Sequence, residues 1–212
     1  MNNLIKQVID LKNSSVGKVV EQRLVEFDSF KKRSSEDWFC ELCFCLLTAN
    51  SKASTAIKIY DELGFKGFSE YSLEDVTAVI RKYNHRFHNN KAKYIVQARE
   101  FLDLKWIIQG VAHEEGSSGA REWLVENVKG IGYKEASHFL RNVGFKDVAI
   151  LDRHILNLMV ENNLLKQKPK SLSKKNYLEL EQNFKKVANK AKMSVAELDL
   201  YMWCLKVGDV LR

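Results

Sequence analysis

Proline is almost absent from this chain of 212 residues: there is one, Pro169. A proline inside a helix removes a hydrogen bond and clashes with the preceding turn, so its scarcity leaves helices free to run. Glycine is sparse as well, ten in all, and the glycines cluster where the apolar pattern breaks. No segment shows a convincing alternation of polar and apolar residues, no internal repeat is found, and no stretch is of low complexity. No apolar run approaches the ~20 residues that a membrane span needs. The start of the chain, Met1-Asn2-Asn3-Leu4-Ile5-Lys6, lacks the apolar core of a secretory signal. These absences predict an all-α, intracellular protein with no membrane partner, and nothing in the sequence demands more than a monomer.

Cysteine is also scarce, at four residues: Cys40, Cys43, Cys45 and Cys204. Cys40 and Cys43 have the spacing of half a zinc site. No second pair and no histidine pair completes it, and both lie within the apolar helical run Trp38–Leu47. A free cysteine behaves as a small core hydrophobe, so these thiols read as core, and no metal is expected.

What the chain does have is basic charge and helix signals. Lysine and arginine total 34 against 27 acidic residues, a formal net charge of +7. That balance is compatible with a polyanionic partner without proving one. Apolar periodicity places helices near 3–12, 16–31, 36–48, 52–63, 73–82, 91–108, 119–127, 133–143, 153–162, 174–191 and 195–206. Ser34 or Ser35, Ser51, Ser72 and Ser194 stand where caps belong, and Gly64, Gly110 and Gly144 look like helix stops. Gly116-Ser117-Ser118-Gly119 and Lys166–Lys170 read as loops. The length suits a single unit, 1–212, made of two helical lobes flanking a cleft. Residues 36–127 would form one lobe, 128–144 a hairpin with its second helix, and the N-terminal helices with 145–212 the other lobe.

The most informative stretch is Val128-Lys129-Gly130-Ile131-Gly132-Tyr133-Lys134-Glu135-Ala136. Two apolar-periodic helices flank Gly130-Ile131-Gly132. Glycines permit a tight turn and close approach of a ligand, and Ile131 would pin the turn from inside. The second helix then begins with outward amides, a phosphate-binding arrangement reinforced by the helix dipole. On its own this is equally a plain helix–turn–helix connection. Eighteen residues after Lys134 comes Asp152, within Leu151-Asp152-Arg153-His154.

The joint pattern, Lys-Gly-Ile-Gly-Tyr-Lys-Glu-Ala followed by Leu-Asp-Arg-His, closely resembles the helix-hairpin-helix superfamily of base-excision DNA glycosylases. Within it, the wording resembles the type-2 8-oxoguanine DNA glycosylase/lyases of archaea and bacteria, from about Trp38 to the C-terminus. The resemblance implies a prokaryotic enzyme, cytoplasmic or nucleoid-associated, that removes 8-oxoguanine from duplex DNA and cuts the strand. It implies Lys134 as nucleophile and Asp152 as its carboxylate partner. A lysine is the side chain able to form a Schiff base at the sugar C1′. Its ordinary pKa is about 10.4, so the amine must be helped toward its neutral form; a helix N-terminus disfavours an ammonium. A fixed carboxylate stabilises the positive charge that grows on the sugar as the base departs. Read without the resemblance, Lys134 is a solvated or phosphate-binding lysine and Asp152 an ordinary N-cap.

The same resemblance implies further contacts. Asn50 would stand beside the flipped-out nucleotide, since a base must leave the stack to be excised. The basic segment His85–Tyr94 would wedge near the opposite base through Asn90 and Lys91. Trp203 would stack on the damaged base, and Arg212 would take the place of the lysine that often ends this family. Gly130, Ile131 and Gly132 would meet the DNA backbone, with a monovalent cation on the hairpin carbonyls. Cys204 alone in the C-terminal region implies no iron–sulfur cluster, which needs four cysteines. Two other readings remain open: a glycosylase/lyase for another oxidised base, and a helix-hairpin-helix DNA-binding protein without catalysis.

Overall fold

The structure, a computed structural model, describes residues 2–208 and 210. Among them every regular element is helical: α1 Asn2–Lys12, α2 Ser15–Ser29, α3 Ser35–Thr48, α4 Ala53–Glu70, α5 Leu73–Lys82, α6 His88–Gln97, α7 Leu104–Asn127, α8 Tyr133–Asn142, α9 Arg153–Glu161, α10 Lys174–Ala191 and α11 Val195–Val207. Short 3-10 turns fill Phe30–Lys32 and Ala98–Phe101. The chain divides into two compact units, one of Phe30–Phe139 and one that joins the chain up to Ser29 with the chain from Leu140 onward.

In the Phe30–Phe139 unit, α3 is the core. It starts at a capping box: Ser34 Oγ accepts the Asp37 amide at 3.2 Å, and Asp37 Oδ2 accepts the Ser34 amide at 3.1 Å. From Trp38 to Thr48 every residue is buried. That includes Cys40, Cys43 and Cys45, and burial pushes the Cys43 thiol well up from its ordinary value. Trp38 packs edge-on against Phe139 at 5.9 Å, and Phe44 does the same against Tyr60 and His138, both at 6.1 Å. Side chains of this size each contribute about 1.5–3 kcal/mol on burial, so α8 is fastened to α3 by its apolar face.

Four expectations are corrected here. Gly64 bends α4 at φ +54, and the helix resumes beyond it rather than stopping. The loop expected at 116–119 contracts to a kink at Gly116, φ +72, inside α7. Gly110 lies within α7 and ends nothing, because a glycine stops a helix when it turns left-handed, and Gly110 does not. The helix expected over 91–108 is instead split by the turn at Ala98–Phe101. There Arg99 donates to the carbonyls of Phe68 at 2.8 Å and Tyr71 at 2.6 Å, at the end of α4. Apolar periodicity carries no trace of such tertiary bonds.

In the other unit, α10 supports an extended segment leading to α9. Arg141 and Asp199 form a buried ion pair at 2.6 Å, with Asn142 Oδ1 taking two more guanidinium bonds at 3.1 and 2.9 Å. Gly144 turns the chain at φ +101, and Val148–Leu151 are all buried.

Candidate functional site

The hairpin joins α7 to α8. Val128 donates to the Leu124 carbonyl at 3.0 Å, closing α7, and Ile131 donates back to Val128 at 3.2 Å. Ile131 is buried, as its role as a pin requires. Gly130 has φ +89, and a Cβ there would fall 2.3 Å from the Tyr94 ring of α6. Conformation and space therefore both demand glycine. Gly132 differs: its added Cβ would meet nothing closer than Glu135 Oε2 at 3.4 Å. Its carbonyl accepts the Ala136 amide at 2.9 Å, which makes it the residue before the first helical turn. Ser34, Ser72, Asp152, Ser173 and Ser194 each cap their helix with a side-chain oxygen. Gly132 has none to offer, so the first-turn amides of α8 are left to an outside acceptor. Tyr133 braces the turn by donating to Glu122 Oε1 and Oε2, both at 2.7 Å, and the buried Arg121 donates to Ser137 at 3.3 Å.

Lys134 sits in the first turn of α8, half-buried, with Nζ 3.4 Å from Glu135 Oε1. A third charge acts on this pair from α6. Lys91, expected as a wedge beside Asn90, is only 5% exposed. The helix already begins at His88, so Lys91 shares the inner face with Ala92 and Ile95, while Asn90 remains exposed. Burial pushes the Lys91 ammonium down to about 8; Lys134 adds to that effect and Glu135 opposes it. Just before α6, the buried His85 ring binds the Leu47 carbonyl through Nε2 at 2.9 Å and accepts the Phe87 amide on Nδ1 at 3.2 Å. Its charged form is disfavoured chiefly by burial.

Asp152 belongs to the other unit, where it is the N-cap of α9. Oδ1 accepts the amides of His154 and Ile155, both at 2.8 Å. Among the described residues Oδ2 has no hydrogen-bond partner, and the side chain is half-buried. The capping role and a spare carboxylate oxygen thus coexist. The backbone leading to it is held from α10: Tyr177 donates to the Ala149 carbonyl at 2.7 Å and accepts the Leu151 amide at 3.2 Å, and the buried Glu181 accepts the Ala149 amide at 2.9 Å. In the same unit Trp203 meets the His154 ring edge-on at 5.2 Å, and its buried Nε1 lacks a partner among the described residues. Arg212 lies outside the described residues.

Asn50 is exposed in the turn between α3 and α4, with φ +59, a left-handed position that asparagine tolerates better than most residues. Sequence reasoning missed the supporting residues: Tyr94 under Gly130, Glu135 beside Lys134, and Tyr177 with Glu181 behind Asp152. Only Glu135 carried a signal, as an acid three residues past an uncapped helix start. Among the described residues no group of histidine, cysteine, aspartate and glutamate is arranged to hold a metal ion, and no helix is long and apolar enough to cross a membrane.

Comparison with known proteins places this geometry. Residues 20–193 match the family model described as 8-oxoguanine DNA glycosylase. A relative from Methanocaldococcus jannaschii, named 8-oxoguanine DNA glycosylase/AP lyase, is 47% identical over 209 residues, covering 99% of both chains. One of the same name from Korarchaeum cryptofilum is 43% identical, covering 100% of this chain and 99% of its own. The crystal structure of the M. jannaschii 8-oxoguanine glycosylase/lyase with a 15mer DNA containing 8-oxoguanine aligns at a TM-score of 0.95, with 47% identity and 99% of each chain covered. The 8-oxoguanine DNA glycosylase of Thermotoga maritima aligns at 0.91, with 41% identity, covering 100% of this chain and 99% of its own. The chain belongs to the 8-oxoguanine DNA glycosylase family, and its fold is the all-α helix-hairpin-helix fold of these structures.

Proposed function

We propose that this protein excises 8-oxoguanine from duplex DNA and then cuts the strand by β-elimination, with Lys134 as nucleophile and Asp152 as the carboxylate partner. The observation that carries the reading is the near-complete match, in sequence and in fold, to a glycosylase/lyase crystallised with 8-oxoguanine DNA. The local geometry supports the assignment of parts. A lysine stands in the first turn of a helix with no side-chain cap at Gly132, after a Gly-Ile-Gly hairpin, and an aspartate keeps one oxygen uncommitted among the described residues.

Each residue then has a task. The α8 amides donate to a DNA phosphate, and Gly132 leaves open the space where a side chain would intrude. The neutral Lys134 amine forms a bond to C1′ as the glycosidic bond breaks, and the departing base takes up a proton. Asp152 stabilises the positive charge on the sugar in passing. Opening of the sugar gives a Schiff base on Lys134; loss of the C2′ proton then expels the 3′ phosphate and breaks the strand. Asn50, exposed in the turn after α3, would stand beside the flipped-out nucleotide, Asn90, exposed in the first turn of α6, would wedge near the opposite base, and Trp203, whose Nε1 has no partner among the described residues, would stack on the damaged base. A monovalent cation would sit on hairpin carbonyls such as Val128, which accepts Ile131 with one lone pair and has a second; it would steady the turn. No iron–sulfur cluster enters this reading. The protein works as a monomer, in the cytoplasm or nucleoid of a prokaryote.

The test is borohydride trapping on duplex DNA with a single 8-oxoguanine, comparing wild type with Lys134→Gln and with an undamaged duplex. A covalent adduct that needs both the lesion and Lys134 is the expected result. An adduct formed on a different oxidised base, and none on 8-oxoguanine, would replace the substrate. DNA binding with no adduct on any lesion or abasic site would overturn the lyase reading and leave a binding protein.

A further inference from the structure

Glu135 has no part in the reaction just described, yet its carboxylate touches the lysine that does. It stands at the third position of α8, counted from Gly132 as the residue before the first turn. An acid at that position ordinarily turns back to the amide of the capping residue and closes a capping box. In α3 the equivalent Asp37 does so, accepting the Ser34 amide at 3.1 Å. Glu135 does not. Among the described residues its only hydrogen bond and only ion pair is with Lys134, Oε1 to Nζ at 3.4 Å. Nor is that pair a default of helix geometry. Neighbouring residues do not face each other on a helix, whereas residues three or four apart do, as Arg23 with Glu26 and Lys185 with Glu181. For Lys134 and Glu135 to meet, their side chains must bend toward each other over the start of α8. Oε2 of Glu135 lies at that start, 3.4 Å from where a Cβ on Gly132 would stand. The Glu135 side chain is 15% exposed and that of Lys134 31%, so the carboxylate is sheltered and the lysine is the more open of the two.

A nucleophilic amine has a need that electrostatic help from Asp152 leaves unmet. Once the neutral Nζ has bonded to C1′, the nitrogen carries two protons and a positive charge, and its lone pair is spent. One proton has to leave before a lone pair is free to open the sugar. We propose that Glu135 is a catalytic residue that takes this proton from Lys134 Nζ. The freed lone pair then forms the C1′=N bond as the C1′–O4′ bond breaks, and Glu135 gives the proton to O4′. The resulting Schiff base keeps its one remaining proton and its positive charge, which acidifies C2′, and Glu135 is again a carboxylate. The proposal rests on Lys134 being the nucleophile. A proton acceptor has to stand within about 2.6–3.2 Å of its donor in the reacting complex, and such contacts are commonly longer before substrate tightens them. The 3.4 Å contact to Nζ is of that kind.

The experiment separates base release from Schiff-base formation. The full-length protein, in excess over duplex DNA with a single 8-oxoguanine, is followed in single turnover for released base and, with borohydride present, for covalent adduct. Glu135→Gln keeps the shape of the side chain but cannot take up the proton. It is expected to release the base within about fivefold of the wild-type rate and to form adduct about a hundredfold more slowly or worse, the size of a general acid–base contribution. Glu135→Ala is expected to form adduct as slowly and to be restored by added formate, judged against chloride at the same ionic strength. Formate should leave Glu135→Gln unchanged, since glutamine fills the space. Adduct formation by Glu135→Gln within about fivefold of wild type would overturn the proposal. So would base release and adduct slowed together, which marks lost binding or folding, and so would a Glu135→Ala rate that formate does not raise. A wild type that traps nothing fails the lyase reading and the proposal with it, whereas a wild type that traps while Glu135→Gln keeps pace fails the proposal alone.

Discussion

Asp152 offers the sharpest separation of structural from chemical duty, because its two carboxylate oxygens do different things. Oδ1 accepts two amides at 2.8 Å and starts α9, while Oδ2 is uncommitted among the described residues. Asp152→Ala removes the cap, at about 1 kcal/mol. For a chain of this size that lowers the melting temperature by roughly 2–4 °C. Asp152→Asn keeps an oxygen for the same two amides, and asparagine caps as well as aspartate. It loses only the charge at the helix dipole, on the order of 0.3–1 kcal/mol, so it should melt near wild type. In the proposed mechanism catalysis follows the other oxygen. A fixed charge aimed at charge that develops in the transition state is worth about 2.7–4 kcal/mol, or 10²–10³ in rate. Asp152→Asn should therefore be folded, should bind lesion duplex as wild type does, and should excise 8-oxoguanine at least about a hundredfold more slowly in single turnover. An Asp152→Asn rate within about fivefold of wild type, a loss of only ~1 kcal/mol, would refute the electrostatic role. An Asp152→Asn melting point as low as that of Asp152→Ala would refute the capping argument.

The two hairpin glycines should fail differently. Gly130→Ala forces a side chain into Tyr94 at positive φ and should destabilise the fold by about 1–3 kcal/mol in urea melts, whereas Gly132→Ala should melt as wild type yet bind DNA more weakly. Equal effects of the two in both assays would contradict this. Tyr177→Phe strips a hydroxyl that serves two buried backbone groups, and chemical denaturation should show a loss of about 2–4 kcal/mol; a loss under ~0.5 kcal/mol would mean the segment before Asp152 is held by packing alone. Lys91→Met should be more stable than wild type at pH 7. The folded ammonium titrates at about 8, below the ordinary lysine value of about 10.4, so the unfolded chain holds more protons in that window and wild type gains stability as pH rises through it. The gap between variant and wild type should close by about pH 10.4; a gap that stays constant with pH would show that the ammonium is not its source.

The helical class and most helix positions were legible because apolar periodicity and serine caps are local signals. Ser34, Ser72 and Ser194 cap the helices that the sequence predicts for them. Glycine was less legible. The same residue type kinks α4 at Gly64, sits silently in α7 at Gly110 and turns the hairpin at Gly130, and only tertiary neighbours decide which. The break before α7 depends on Arg99 reaching the end of α4, a contact across about thirty residues that no window along the chain contains. The burial of Lys91 was illegible for a related reason. A polar-looking segment, His85–Tyr94, hides an inward face because His85 and Lys91 are buried despite their chemistry.

Those exceptions have a common direction. A fold selected for stability alone would put serine or aspartate at residue 132 to cap α8, an apolar residue at 91, and an ordinary helix stop in place of the left-handed Asn50. Each of these positions departs from the stabilising choice: residue 132 lies in the hairpin, Lys91 on the buried face of α6, and Asn50 in the exposed turn proposed to stand beside the flipped-out nucleotide. Elsewhere the same chain follows the stabilising rules closely, with five side-chain caps and a core helix buried from Trp38 to Thr48. Local choices that oppose the fold persist where function requires them. On that argument Gly132 and Lys91 belong with Lys134 in the proposed working end of the Phe30–Phe139 unit. Asp152 meets both demands in the proposed mechanism, which is why replacing it with asparagine rather than alanine is the informative change.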